Sequence, residues 1–320
     1  MRRALVVVVV APVAVSIGVA VASQWSRLPD FEWRFAPGWL ALSIVAFAVF
    51  QGAHAELWRL ILVNMGERLG VLPALAIWSV TLLGRYVPTG ALMVVGRVGM
   101  AQREGVARRV CLASVVYELA LTAVGALVLG SWFAIGLPSL EDRPERWVVL
   151  VLPIAALIAL HPRIFRPLAD RALVRAGREP LPGVVAYRRV LLLALAYAAT
   201  FVVAGAGIYC FAQAVYEVGA GDLPTLVAAY SVGWIVSVAG FFSPAGLGAR
   251  EAGLAAALTP AMPLAPAAAV TIGVRLVQIA LELLFAALSP LVAGRRFRWR
   301  PGWGRGRPPA EPDAPGTSTR

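Results

Sequence analysis

Arg250 and Glu251 stand where charge is expensive. They follow Phe241-Phe-Ser-Pro-Ala-Gly-Leu-Gly248, in which Pro244, Gly246 and Gly248 break a helix between the apolar runs 224–240 and 252–274. A charged side chain at a bilayer centre costs about 2.5–3.5 kcal/mol even on the lenient insertion scale. A broken helix at that depth is tolerated only inside protein or beside a wet cavity. A second set has the same character: Pro88 and Gly90 interrupt the segment 71–100, Arg97 follows, and Glu118 sits near the middle of the next apolar run. A third set, Arg275, Gln278 and Glu282, shares one helical face.

These groups suit anion binding. A guanidinium can hold a phosphate or carboxylate through two parallel hydrogen bonds, and backbone amides after Gly90 or Gly246 add donors. Glu118, Glu251 and Glu282 would neutralise Arg97, Arg250 and Arg275 when no ligand is bound. Plainer readings stand beside this one. The stretch 241–253 reads otherwise as a cytoplasmic loop, Arg275 with Glu282 as an interhelical clamp, Glu118 as a packing partner of an arginine, and Arg85 as a residue reaching for the interface. The chain has no His-Glu-x-x-His, no Gly-x-Ser-x-Gly and no paired intramembrane Asp, so it reads as a protein that is not an enzyme. His54 and His161 lack metal-ligand spacing, and Cys111 and Cys210 both lie in apolar runs. Neither a metal site, a cofactor nor a disulfide framework is expected.

What must position these residues is a membrane domain. Hydrophobic residues make up 60% of the 320, and several uncharged runs approach or exceed the length of a span. The net charge is +12 and all 29 basic residues are Arg. They fall between spans and in a tail, which fits positive-inside loops and excludes a nucleic-acid binder. The expected fold is all-α, a polytopic integral membrane helical bundle.

In order, Met1-Arg2-Arg3 precede an apolar run, Ala4 to Ser23, read as a retained first helix with a cytoplasmic N-terminus. Helix two covers about 38–60, with Gln51, His54, Glu56 and Arg59 toward its end. The broken segment 71–97 and an Arg-rich loop 97–109 follow. Spans about 110–136 and 147–161 flank an acidic stretch 137–146. Residues 162–189, with seven arginines and two acids, read as a cytoplasmic loop. A span about 190–214 carries Ala204-Gly-Ala-Gly207, small enough for close packing. Residues 216–222 are acidic and read as outside. The second broken segment and a last helix, about 267–293, complete the membrane domain, 1–293. Residues 294–320 form a basic, Pro/Gly-rich tail expected to be disordered and cytoplasmic.

Parity constrains how the broken segments sit. If 71–97 crossed the membrane once, the Arg-rich loops 97–109 and 162–189 would both lie outside, against the positive-inside rule. A segment that enters from the cytoplasm and returns puts every Arg-rich loop inside. Segment 224–260 either enters from outside and returns, or crosses and recrosses; both give the same end points. The breaks lie about half a chain apart; if both segments are re-entrant they enter from opposite faces, the pattern of an inverted repeat, whose paired interruptions point to a transport site. The reading pairs Glu118 with Glu282 across the halves.

At Arg85-Tyr-Val-Pro-Thr-Gly90 with Gly96-Arg97, at Tyr117-Glu118, at Ser243-Pro-Ala-Gly-Leu-Gly-Ala-Arg-Glu251 and at Arg275, the chain resembles the lysylphosphatidylglycerol synthase transmembrane family, also called flippase-like or UPF0104 proteins. The likeness covers about residues 5–293. It departs from the family at Ala245, where Gly-Gly is common, and at Thr89, where Pro-Gly is common. The resemblance implies a lipid-translocating or lipid-binding membrane domain; together with the arginines, the leading reading is a multi-pass plasma-membrane protein that binds an anionic lipid or lipid-linked precursor and flips it between leaflets. The alternative is a non-transporting accessory of envelope lipid synthesis. Some members carry an aminoacyl-transfer domain after the membrane part; about 27 residues follow here, too few for one. A homo-oligomer is a further expectation.

Overall fold

The computed structural model describes residues 35–86, 91–136, 144–177, 179–239 and 249–293. Pro88, Gly90, Pro244, Gly246 and Gly248 lie outside these, as do the first apolar run, most of 137–146 and the tail from 294. Every element among the described residues is helical.

Three helices form the main frame: α1 (Pro37–Asn64), α4 (Arg108–Ile135) and α7 (Tyr187–Val215). The last helix, α10 (Leu264–Val292), closes the bundle. All four are long and apolar enough to cross a bilayer, as is the run Ala220–Val238. Their lipid-facing sides are Leu- and Val-rich, with Val45, Leu119, Leu195 and Leu291 among the exposed residues. The protein is a multi-pass membrane protein.

α1 and α7 run antiparallel. Ser43 Oγ donates to the Gly207 carbonyl at 2.8 Å, and near the other end of the contact His54 meets Thr200. The small residues of α7 face two neighbours. A Cβ at Gly207 would lie 3.1 Å from the Phe47 ring, and one at Gly205 would run into the backbone of Val227. Without side chains at these positions the backbones approach closely enough to gain dispersion contacts, the main attraction between helices in lipid.

Each broken segment is an antiparallel hairpin. In the first, α2 (Val71–Leu82) continues through a 3-10 turn, Leu83–Tyr86, and α3 (Ala91–Arg103) returns. Gly84 lies against Met93, where a Cβ would come within 2.5 Å of its backbone nitrogen, and Gly96 lies against Thr81. In the second, α8 (Leu223–Ala239) is answered by α9 (Ala249–Leu258). Gly233 packs on Leu254 and Gly253 on Val236. The 13 residues of α3 reach about 20 Å and the 10 of α9 about 15 Å, against a hydrocarbon core of about 30 Å. Over the described residues, neither returning helix is long enough to cross.

One stretch differs from expectation. Residues 162–175 are a helix, α6 (Pro162–Arg175), rather than a loop. Pro162 opens it, and His161 Nδ1 accepts the Arg163 N–H at 3.2 Å. Proline at a first turn and an i,i+4 pair, Arg166–Asp170, favour the helix locally. It bends 67° away from the short apolar segment before it, which ends with α5 (Val151–Ala159).

Candidate functional site

Both hairpins bring polar groups to the middle of α10. Gln278 stands halfway along that helix, with Arg275 and Glu282 about a turn to either side; all three are buried. The tip of the first hairpin reaches Glu282: Arg85 forms an ion pair with it, and the Tyr86 hydroxyl donates to its other oxygen at 2.9 Å. The start of α9 reaches Gln278 and Arg275. Arg250 Nη2 donates to Gln278 Oε1 at 3.2 Å, and Glu251 Oε1 lies 3.7 Å from Arg275 Nε. The Arg275 guanidinium sits over the Tyr86 ring, 5.6 Å from its centroid. Arg275 thus joins residues flanking the two breaks, although the break residues themselves are not described.

Arg97 and Glu118 form a separate pair. Arg97 is 1% exposed, bonded to Glu118 and, through Nε, to Thr81 Oγ1 at 3.2 Å. Its guanidinium lies 5.1 Å from the Trp58 ring centroid and 5.8 Å from that of Trp78. Trp78 Nε1 donates to the other Glu118 oxygen at 2.6 Å. Every charge here has a close partner and an aromatic wall. Ser114, one turn before Glu118, accepts the Trp58 indole N–H at 3.0 Å, and Thr122, one turn after, turns back to the Glu118 carbonyl.

An aromatic layer separates the two groups. His54 packs on Trp78 and Phe50, at centroid distances of 5.9 and 4.4 Å, and Phe50 meets the Tyr230 ring edge-on at 5.7 Å. Thr200 Oγ1 donates to the Tyr197 carbonyl and forms a 3.1 Å hydrogen bond with His54 Nε2.

The six charged residues expected at the site therefore fall into two groups. Arg250, Glu251, Arg275 and Glu282 gather around α10, and Arg97 with Glu118 lie beyond the His54 layer. Arg275 and Glu282, read as an interhelical clamp, do not bond to each other: each bonds to a different hairpin. The pairing of Glu118 with Glu282 across the halves also changes. Glu118 receives the α3 arginine and an α2 aromatic, and the residue that receives the α9 arginine and contacts an α8 aromatic is Gln278: its Nε2 donates to Tyr230 Oη at 3.1 Å. Tyr230 and Trp78 were missed because an aromatic in an apolar run carries no signal of its own. Arg85 and Tyr86 lay inside the quoted motif, but their partner is 197 and 196 residues away, which no local pattern shows.

The model of the lysylphosphatidylglycerol synthase TM region matches residues 5–286.

The chain belongs to that family.

The match takes in both hairpins and all six charged residues of the site, and it ties the chain to a family of membrane proteins concerned with lipid. No curated protein matches the chain. Among the described residues, no His, Cys, Asp and Glu cluster is arranged to hold a metal ion. Chemically, the domain offers a set of buried and half-buried guanidiniums at the centre of a helical bundle whose outer faces are apolar.

Proposed function

We propose that the protein binds the anionic headgroup of a membrane lipid, or of a lipid-linked precursor, at Arg250 and Arg275, and passes it between leaflets of the plasma membrane without a chemical step. One observation carries this reading. Around the centre of the bundle, the described residues include four guanidiniums, of Arg85, Arg97, Arg250 and Arg275, and three carboxylates, of Glu118, Glu251 and Glu282. Arg85 and Arg97 each hold a carboxylate closely, whereas Arg250 meets the neutral Gln278 amide and lies 5.2 Å from the Tyr230 ring centroid. Arg275 reaches a carboxylate only at 3.7 Å, and its Nε and Nη1 make no hydrogen bond among the described residues. Surplus buried cations in a low dielectric favour an anion.

Glu251 would yield Arg275 to an arriving phosphate, and Glu282 would hold Arg85 and Tyr86 at the tip of the first hairpin. Arg97 and Glu118 would fix the return limb of that hairpin to α4. The arginine-rich connections support an orientation with both termini in the cytoplasm. An apolar cavity of about 280 Å³ between α1 and α7, lined by Val49, Phe50, Ala53 and Val203, suits an acyl chain beside the bundle.

A second reading, lipid binding in support of synthesis without transfer, is favoured by the size of the site. The cavity between Arg250, Thr271 and Arg275 holds about 10 Å³, room for a water and not for a phosphate. Entry of a headgroup requires the α8–α9 hairpin to move. Lipids retained through purification, identified by mass spectrometry, test the shared claim. Wild type should carry anionic lipid enriched over the bulk membrane, and Arg250→Ala should not; equal enrichment in both would exclude this site.

A further inference from the structure

The two hairpins build the same three-part arrangement. In the first, an aromatic of the entering limb, Trp78, and an arginine of the returning limb, Arg97, converge on Glu118 of the following helix. In the second, Tyr230 of the entering limb and Arg250 of the returning limb converge on Gln278 of the following helix. The arginine lies over the aromatic in both, at 5.8 Å for Arg97 and Trp78 and 5.2 Å for Arg250 and Tyr230. The limbs are antiparallel in both, with a glycine contact between them. The arrangements differ in the acceptor: a carboxylate in the first, an amide of nearly the same shape in the second.

We propose that these are two related anion half-sites, that Glu118 permanently occupies the first, and that Gln278 keeps the second open, so that the chain takes one anionic headgroup and not two. A carboxylate presents two acceptor oxygens to the guanidinium and completes its charge; the Gln278 amide presents one oxygen and no charge. Arg97 is accordingly closed off, 1% exposed, with its carboxylate partner and two indoles around it. Arg250 is only partly buried and borders the cavity that Arg275 and Thr271 line with polar atoms lacking a partner among the described residues. Gln278 is then the residue that sets where the anion binds. That the anion is a lipid headgroup rests on the function proposed above; the difference between the half-sites does not.

The test uses the full chain in detergent, titrated with phosphatidylglycerol or phosphatidylcholine and read by native mass spectrometry, with thermal unfolding recorded in phosphatidylcholine alone. Gln278→Glu supplies the second half-site with its own carboxylate. It should raise the unfolding temperature without anionic lipid and weaken phosphatidylglycerol retention about tenfold or more, the size of a lost charge-assisted hydrogen bond. Gln278→Met, which removes the amide without adding charge, should lower retention clearly less than Gln278→Glu does. The exchange variant, Glu118→Gln with Gln278→Glu, conserves net charge and should regain retention at the first half-site. Wild-type retention in a folded Gln278→Glu protein overturns the proposal, as does equal loss in Gln278→Met, which would assign the amide a direct contact. If wild type shows no preference for phosphatidylglycerol, the lipid reading fails by itself. The unfolding temperature of Gln278→Glu in phosphatidylcholine then decides whether the half-site is open: a rise supports it and no rise overturns it.

Discussion

The Tyr86 hydroxyl donates to Glu282 at 2.9 Å, fastening the tip of one hairpin to the centre of a helix in the other half of the chain. Arg85, beside it, pairs with the other oxygen of the same carboxylate. One acid therefore holds two groups that the backbone alone would leave at the end of a short, broken limb. Residues flanking both breaks meet on one face of α10, and the charge balance of the site depends on which acid each arginine finds there.

Removing Glu282 should cost more than removing Tyr86 Oη. Glu282 is 4% exposed and Arg85 is 30% exposed. Glu282→Ala leaves Arg85 and Tyr86 without their acceptor, for a loss toward the lower end of about 3–5 kcal/mol because Arg85 keeps some access to its surroundings. Tyr86→Phe removes one bond to a charged group, about 1.5–3 kcal/mol. Thermal unfolding in a fixed detergent orders the two variants; the reverse order would show that Tyr86, and not Glu282, anchors the tip.

Arg97 and Glu118 should behave as a clasp. Arg97→Ala strands Glu118 beside Trp78 and is expected to destabilise by about 3–5 kcal/mol. The double substitution Arg97→Met with Glu118→Leu removes both charges from a site already walled by indoles, and should recover most of that loss. Lipid retention in the double variant should match wild type. Loss of retention in a well-folded double variant would move Arg97 into the binding site.

Close backbone contact sets the hairpin geometry. A Cβ at Gly84 would lie 2.5 Å from the Met93 nitrogen, a contact with backbone that cannot turn aside. Gly84→Ala should splay α2 from α3 and destabilise by about 1–3 kcal/mol. Gly38, where a Cβ meets nothing within 4 Å, is the control and should tolerate Ala. Unfolding temperatures of the two variants in one detergent give the comparison.

Much of the bundle was legible because membrane helices announce themselves by length and hydropathy. The boundaries of α4, α7 and α10 fall within a few residues of those expected. The breaks were legible because proline and glycine have few other reasons to stand beside arginine in an apolar run. Partners were not. Glu282 was matched to Glu118 by type, yet its contacts are Arg85 and Tyr86 of the other half. Gln278 was seen on the right face and given no role, because a neutral amide gains meaning only beside the carboxylate it replaces. The helix at 162–175 was hidden by its charge: four arginines suggested a loop, while the proline start and the Arg166–Asp170 pair favoured a turn of helix.

Orientation has its own check. A single cysteine placed at 183, in a Cys111→Ala, Cys210→Ala background, should resist a membrane-impermeant thiol reagent added to intact cells and react after permeabilisation. Labelling from outside would invert the orientation inferred from the arginines.

Transfer through Arg250 is tested most directly in sealed liposomes of phosphatidylcholine carrying a trace of fluorescent phosphatidylglycerol, with a membrane-impermeant reductant reporting the outer leaflet. Wild type should expose inner-leaflet probe at a rate well above protein-free liposomes. Arg250→Gln, reconstituted at equal amount and shown to be folded, should fall about tenfold or more, since one charge-assisted bond to phosphate is worth about 1.5–3 kcal/mol. An Arg250→Gln protein that moves the probe as fast as wild type would contradict a headgroup path through this arginine.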